Sequence, residues 1–94
     1  MADLSLQVTD IRYSSARMED RERGLLGFVS FTLNGSLEVD GVTLRRSQAG
    51  SQYLAYPARV DGRGERHPYL RPVDEITRVA IEQEVLAALG QGGW

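Results

Sequence analysis

Apolar and polar residues alternate along the first part of the chain, a pattern typical of β-strands. Leu4, Leu6 and Val8 are separated by polar residues, and the alternation shifts across Thr9-Asp10, which predicts a first strand with a β-bulge. The apolar run at residues 24–33 predicts a central strand that is covered on both faces. Residues 14–23, between these strands, are mostly charged, so we expect a solvated connection with a neutral role.

A strong turn signal follows the central strand. Asn34-Gly35 tolerates the positive φ angles of a type I′ turn, so the central strand is expected to form a hairpin with residues 36–46. In that second arm the apolar residues before Asp40-Gly41 are at odd positions and those after it are at even positions. This shift in the alternation predicts another bulge or a corner. A turn at 47–51 and a fourth strand at 52–58 complete the series.

The last third of the chain predicts one edge strand and one helix. A short fifth strand is expected around Tyr69-Leu70, where flanking prolines confine it to an edge. Asp74 is a favourable N-cap and Gly90 suits a C-terminal cap, so the helix should cover residues 75–89. The fold class is therefore α+β, a small antiparallel sheet of four to five strands with one C-terminal helix. We expect a single domain at 1–94, with an ordered core at about 4–89 and a flexible tail at 90–94.

The predicted helix is apolar on two sides. The first stripe is Thr77, Ile81, Val85, Ala88 and Leu89, and the second side is Ile76, Val79, Ala80, Leu86 and Ala87. One sheet can cover only the first stripe, so we expect the second side to face another subunit in a homodimer. The alternative is that its small alanines are simply tolerated at the surface.

Positive charge is concentrated between the fourth strand and the helix. The chain has 11 arginines, no lysine and a net charge of −2, yet residues 59–71 hold four arginines and only two carboxylates. Guanidinium groups are suited to bidentate contacts with phosphate, so this Arg-rich loop is the candidate nucleic-acid site, and solvated surface arginine is the alternative. The candidates are Arg59, Arg63, Arg66, His67 and Arg71.

Tyr53, Tyr56 and Tyr69 flank the cationic loop. They could stack on unpaired bases while the arginines follow the phosphates, or they could be half-buried packing residues of strands.

The composition excludes several kinds of site. The chain has no cysteine and one histidine, so we expect no disulfide, no metal site built from His and Cys, and no Ser-His or Cys-His nucleophile pair that uses another histidine. The carboxylate pairs do not suit acid-base chemistry, and Gly62-Arg63-Gly64 lacks the other parts of a P-loop, so no enzymatic activity, small-molecule substrate or cofactor is expected. No apolar run could span a membrane, and a cytoplasmic location is expected.

The order of these signals is similar to that of a known family. The segments Val8-Thr9-Asp10-Ile11-Arg12, Ser30-Phe31-Thr32-Leu33 and Tyr53-Leu54-Ala55-Tyr56-Pro57, with Gly64, Pro72, Ile81 and Val85-Leu86, resemble the stage V sporulation protein G (SpoVG) family of bacterial septation regulators. The likeness covers residues 6–89.

The resemblance implies a homodimeric cytoplasmic regulator that binds DNA, and in some members RNA. It also implies that the loop after the Tyr-Pro strand and the start of the helix contribute binding residues. Arg59 falls in the family's basic position after that strand, and Arg78 matches a basic residue early in its helix. The chain departs from the family pattern at Val60, at His67 and at Arg71-Pro72, where the family has a basic residue, an arginine and a His-Pro pair.

Two functions remain open on the sequence. The first is a dimeric DNA- or RNA-binding regulator whose loop arginines contact phosphates, with Arg63 or Arg66 available for base contacts. The second is a protein-protein interaction module of septation or sporulation control that binds no nucleic acid, which the acidic net charge favours.

Overall fold

The computed structural model describes residues 6–91, which form two sheets and two helices. A four-stranded antiparallel sheet has its strands in chain order, a two-stranded antiparallel sheet follows it, and a long helix ends the described chain, so the α+β fold is confirmed. The predicted positions Leu4 and 92–94 lie outside the described residues. The elements are β1 (Val8–Ser15), α1 (Met18–Glu22), β2 (Leu25–Leu33), β3 (Leu37–Arg46), β4 (Gln52–Ala55), β5 (Ala58–Val60), β6 (Arg66–Pro68) and α2 (Glu75–Gln91).

The local signals in the first half of the chain are confirmed. The register of β1 against β2 shifts between Thr9 and Arg12, and Asp10 has a positive φ of 52°. Asn34 and Gly35 both have positive φ, and Ser36 N donates to Leu33 O at 3.0 Å to close the hairpin of β2 and β3. The register of β2 against β3 shifts at Asp40-Gly41, and a turn closes residues 47–51.

The connection at 14–23 differs from the prediction. β1 continues through Ser15, and the five residues of α1 follow, so only part of the segment is irregular. The Nη1 atom of Arg21 donates to Leu26 O at 2.7 Å and to the Ser15 hydroxyl at 3.0 Å, and Tyr13 also donates its hydroxyl to Leu26 O. The connection is therefore fastened to the sheet by a charged side chain, because an arginine has enough donors to bridge several acceptors.

The predicted fourth strand is interrupted at Tyr56-Pro57. β4 ends at Ala55, and β5 pairs with β6 instead of continuing the large sheet. The predicted position of the fifth strand, around Tyr69-Leu70, is wrong by a few residues, because the strand covers Arg66–Pro68. Pro68 is the last residue of this strand, where the lack of a backbone N–H disrupts the fewest hydrogen bonds between strands.

Helix α2 covers one face of the large sheet. Thr77 N donates to Asp74 Oδ1 at 2.8 Å, which confirms the N-cap. Ile81, Val85 and Leu89 are buried in one cluster with residues of all four strands, including Phe31, Val42 and Leu54. The helix extends slightly beyond its predicted end at about residue 89, because Gly90 and Gln91 continue it, so the predicted cap at Gly90 is wrong.

The opposite face of the large sheet is not covered by α2. Phe28 on β2 is 47% exposed, while its neighbours Gly27 and Val29 are buried. The prediction that β2 is covered on both faces is therefore wrong within the described chain. None of the helices in residues 6–91 is long and apolar enough to cross a membrane.

Candidate nucleic-acid interface

The Arg-rich loop is a β-hairpin formed by β5 and β6. The register pairs Ala58 with Pro68, Arg59 with His67 and Val60 with Arg66. Asp61 closes the turn: its Oδ1 atom accepts hydrogen bonds from Arg63 N at 2.8 Å and from Glu65 N at 2.9 Å. Asp61-Gly62 is a turn dipeptide, so the sequence did contain a signal for this hairpin.

His67 lies against the second oxygen of the same carboxylate. Its Nε2 atom is 2.7 Å from Asp61 Oδ2. The hydrogen bond with His67, followed by those from Glu65 N and Arg63 N, lowers the pKa of Asp61 below its ordinary value. His67 therefore has a structural partner in the hairpin, and its role in binding stays a prediction.

Asp61, Glu65 and His67 each bring one potential metal-ligand atom within 4.8 Å of the others. This cluster has no counterpart among the sites predicted from the sequence. Both oxygens of Asp61 already have hydrogen-bond partners within the hairpin, so turn formation accounts for the arrangement.

Three of the predicted arginines are exposed and available. Arg59, Arg63 and Arg71 are exposed, and within residues 6–91 none of them forms an ion pair. Arg59 lies on β5, Arg63 lies in the turn and Arg71 follows β6. Arg59 and Arg63 therefore lie on the hairpin itself, whereas Arg71 lies between the hairpin and α2.

Arg66 is exposed but anchored at one end. Its Nη2 atom donates to Tyr56 O at 2.6 Å. A guanidinium has five N–H donors, so this bond fixes the direction of the side chain and leaves other donors for a ligand.

Arg78, by contrast, is engaged by two carboxylates. Its Nε and Nη2 atoms donate to Glu75, and its Nη1 atom donates to Glu82 Oε1 at 2.8 Å. These contacts raise the pKa of Arg78, and its hydrogen bonds lower the pKa of Glu75. Glu82 also accepts a bond from Leu54 N at 3.2 Å, so Arg78 helps to hold α2 against β4. Its predicted role in binding has less support than that of the hairpin arginines.

The three tyrosines differ in exposure. Tyr69 and Tyr53 are exposed, at 69% and 37%, whereas the Tyr56 hydroxyl is buried and has no hydrogen-bond partner within residues 6–91. Burial, and then the charge of Glu82, raises the pKa of Tyr56 to about 12. Tyr56 is therefore a packing residue, and Tyr53 and Tyr69 remain candidates for stacking.

Comparison with known proteins shows the family. No family model matches the sequence. A relative from Lachnoclostridium phytofermentans, whose name describes it as a SpoVG septation protein, is 30% identical over 81 residues, which are 86% of this chain and 83% of the relative. The chain belongs to the SpoVG family. Family membership confirms the resemblance found in the sequence.

The SpoVG resemblance implied that binding residues follow the Tyr-Pro strand and lie at the start of the helix. In this member the first of these regions is the β5–β6 hairpin, where the exposed arginines without ion pairs are concentrated. The second region has its arginine engaged by glutamates. Within this SpoVG chain the cationic surface is therefore carried mainly by the hairpin.

Proposed function

We propose that this member of the SpoVG family is a non-enzymatic, homodimeric regulator of septation or sporulation that binds DNA or RNA in the cytoplasm. The observation that carries the proposal is the β5–β6 hairpin, which presents Arg59 and Arg63 exposed and without ion pairs among residues 6–91, with Arg71 in the same state just beyond its end. The name of the relative supports the process.

The electrostatics of the hairpin suit a polyanion. Residues 59–71 carry four arginines against Asp61 and Glu65, a net charge of +2 on a chain whose total is −2. The carboxylate of Asp61 is hydrogen-bonded to backbone amides of its own turn and to His67. It therefore points into the hairpin. Contacts between arginines and phosphates supply affinity and position the protein, but they carry no sequence information.

Salt dependence tests the proposal directly. We expect a fluorescently labelled duplex or single strand to bind at low ionic strength, with log affinity falling linearly with log salt concentration because neutralised phosphates release counterions. In the variant Arg59→Ala/Arg63→Ala, the slope measured on a duplex should become shallower by about 2 for each hairpin of the dimer that contacts the DNA, because each lost phosphate contact contributes about 0.9.

The control is Arg17→Ala/Arg23→Ala, which removes two exposed arginines outside the hairpin. It should bind like the wild type, and both variants should keep the wild-type circular dichroism and melting temperature. No binding at low salt, or binding that salt does not weaken, would contradict the proposal.

An alternative function has one observation in its favour. Val73 and Ile76 are large apolar residues that are almost fully exposed beside the start of α2. Such a patch suits a protein partner. Copurification of a defined protein partner without nucleic acid, together with absent binding in the salt titration, would favour this module.

A further inference from the structure

The uncovered face of the large sheet continues into the hairpin. In the strand register Phe28 lies beside Thr43, which pairs with Ala55, and Arg45 pairs with Tyr53 in the next row. The residues that alternate with these, including Val42, Leu44 and Leu54, point to the buried core under α2. Aromatic and cationic side chains therefore share the face that α2 leaves open.

A groove lies where this face meets the hairpin. It has a volume of about 570 Å³, and its walls include Thr43, Arg45, Tyr53, Pro57 and Arg66. No carboxylate is among its lining residues in the described chain. Pockets of about 300–1,000 Å³ hold small organic ligands, so the groove is large enough for a nucleotide.

The two arginines reach the groove from different elements. Arg45 extends from β3 beside Tyr53 on β4, and Arg66 belongs to β6. The bond from Arg66 to Tyr56 O orients its guanidinium while leaving further N–H donors. The groove thus combines an aromatic ring with two cations, which is the chemistry needed for a planar base attached to a phosphate.

We infer that this groove binds an unpaired nucleotide of a single strand, with Tyr53 stacking on the base and Arg45 and Arg66 contacting the phosphates. The inference rests on the proposed function and names its ligand class. A base inside a duplex is stacked on both sides, so its face is not accessible to Tyr53, whereas a single strand exposes it. Arg66 belongs to the hairpin and lines the groove, so the groove meets the hairpin at this residue.

A second copy of the chain suits this groove less well. A dimer formed through it would bring a second Arg45 and Arg66 to the same interface, with no carboxylate in the groove to offset them. Desolvating unpaired charges is costly, whereas the phosphates of a nucleic acid supply the missing negative charge.

The variant Tyr53→Leu tests the inference because it removes the ring and keeps apolar bulk. Its affinity for a labelled oligothymidylate should fall about 5- to 100-fold, the usual effect of losing one base-aromatic stack, while the slope of log affinity against log salt stays unchanged. Binding to a duplex should not change. The control Phe28→Leu removes an exposed ring that does not line the groove and should bind like the wild type.

Photocrosslinking gives a second readout that loss of folding cannot imitate. An oligonucleotide carrying 5-iodouracil should crosslink to Tyr53 in the wild-type protein, and mass spectrometry would locate the adduct. Wild-type single-strand affinity in Tyr53→Leu, tighter binding of duplex than of single strand, or a Tyr53→Leu variant altered only in its oligomeric state would each overturn the inference. Those results leave the proposed function standing, whereas absence of all nucleic-acid binding at low salt would overturn both.

Discussion

At the scale of single residues, Gly27 shows how closely β1 and β2 approach. A Cβ atom added at this position would lie 2.6 Å from Ser14 O and equally close to the ring of Tyr13. That ring is held in place because its hydroxyl donates to Leu26 O, beside the guanidinium of Arg21. The absence of a side chain at Gly27 therefore allows Tyr13 to pack across the strand pair.

Gly27→Ala should lower the free energy of unfolding by about 1–3 kcal/mol, since the added methyl must displace backbone or a packed ring. The matched control is Gly62→Ala in the hairpin turn, where nothing lies within 4 Å of an added Cβ. Urea denaturation of the two variants would check this, and equal midpoints would show that the close approach is relieved without cost.

Contacts of single residues also determine which arginines are available to bind a ligand, and the sequence predicted these contacts only in part. Arg78 has Glu75 and Glu82 at helical spacings of three and four residues, a signal that was present but not used. The bond of Arg66 to Tyr56 O, in contrast, depends on how the chain turns at Pro57 and has no local signature. The sequence therefore located the cationic segment but did not rank the availability of its arginines.

At the scale of elements, predictions succeeded where a local signal was strong. Asn34-Gly35, the bulge near Asp10 and the N-cap Asp74 each depend on residues close in sequence, and the structure has all three. α1 and β6 were missed or misplaced because elements of five and three residues show little periodicity. The predicted cap at Gly90 is wrong, because a glycine near the end of a helix can also lie inside it.

The β5–β6 hairpin should respond to acid. The pKa of Asp61 is lowered by its hydrogen bonds to His67 and to the backbone. The folded hairpin therefore stabilises the ionised carboxylate relative to the unfolded chain. Its stabilising contribution is complete above the unfolded pKa of about 3.9 and is lost as the pH falls through the lower folded value.

NMR titration of the amides of Arg63 and Glu65, which donate to Asp61, should therefore show a transition below about pH 4. Asp61→Asn lacks the titrating group and should abolish that transition. The carboxylates of Asp74 and Glu75 also have lowered pKa values, so amides at the start of α2 serve as an internal reference that persists in the variant. A hairpin transition unchanged in Asp61→Asn would assign it to another group.

At the scale of the whole molecule, the proposed dimer follows from what α2 leaves exposed. Leu86, on the second apolar side, packs in part against the core, but Ile76 is 81% exposed and Ala87 is exposed as well. The remaining apolar surface of that side is therefore narrower than the sequence indicated, and Ile76 is its largest exposed residue.

Ile76→Glu should convert the dimer into a monomer, because it places a charge within the proposed apolar interface. Analytical ultracentrifugation at micromolar concentration would measure this, and Met18→Glu, at an exposed site on α1, should leave the dimer intact. A wild-type protein that sediments only as a monomer would contradict the proposal.

The bond between Leu54 N and Glu82 has a further consequence for how copies of this chain avoid uncontrolled association. β4 is a margin of the large sheet, and its outward-facing amides could template the addition of foreign strands. Glu82 occupies one of those amides from the helix and places a carboxylate directly in the path of an incoming backbone. The Leu54 amide is therefore not available to an added strand at this position of β4, and β1 is left as the large sheet's other margin.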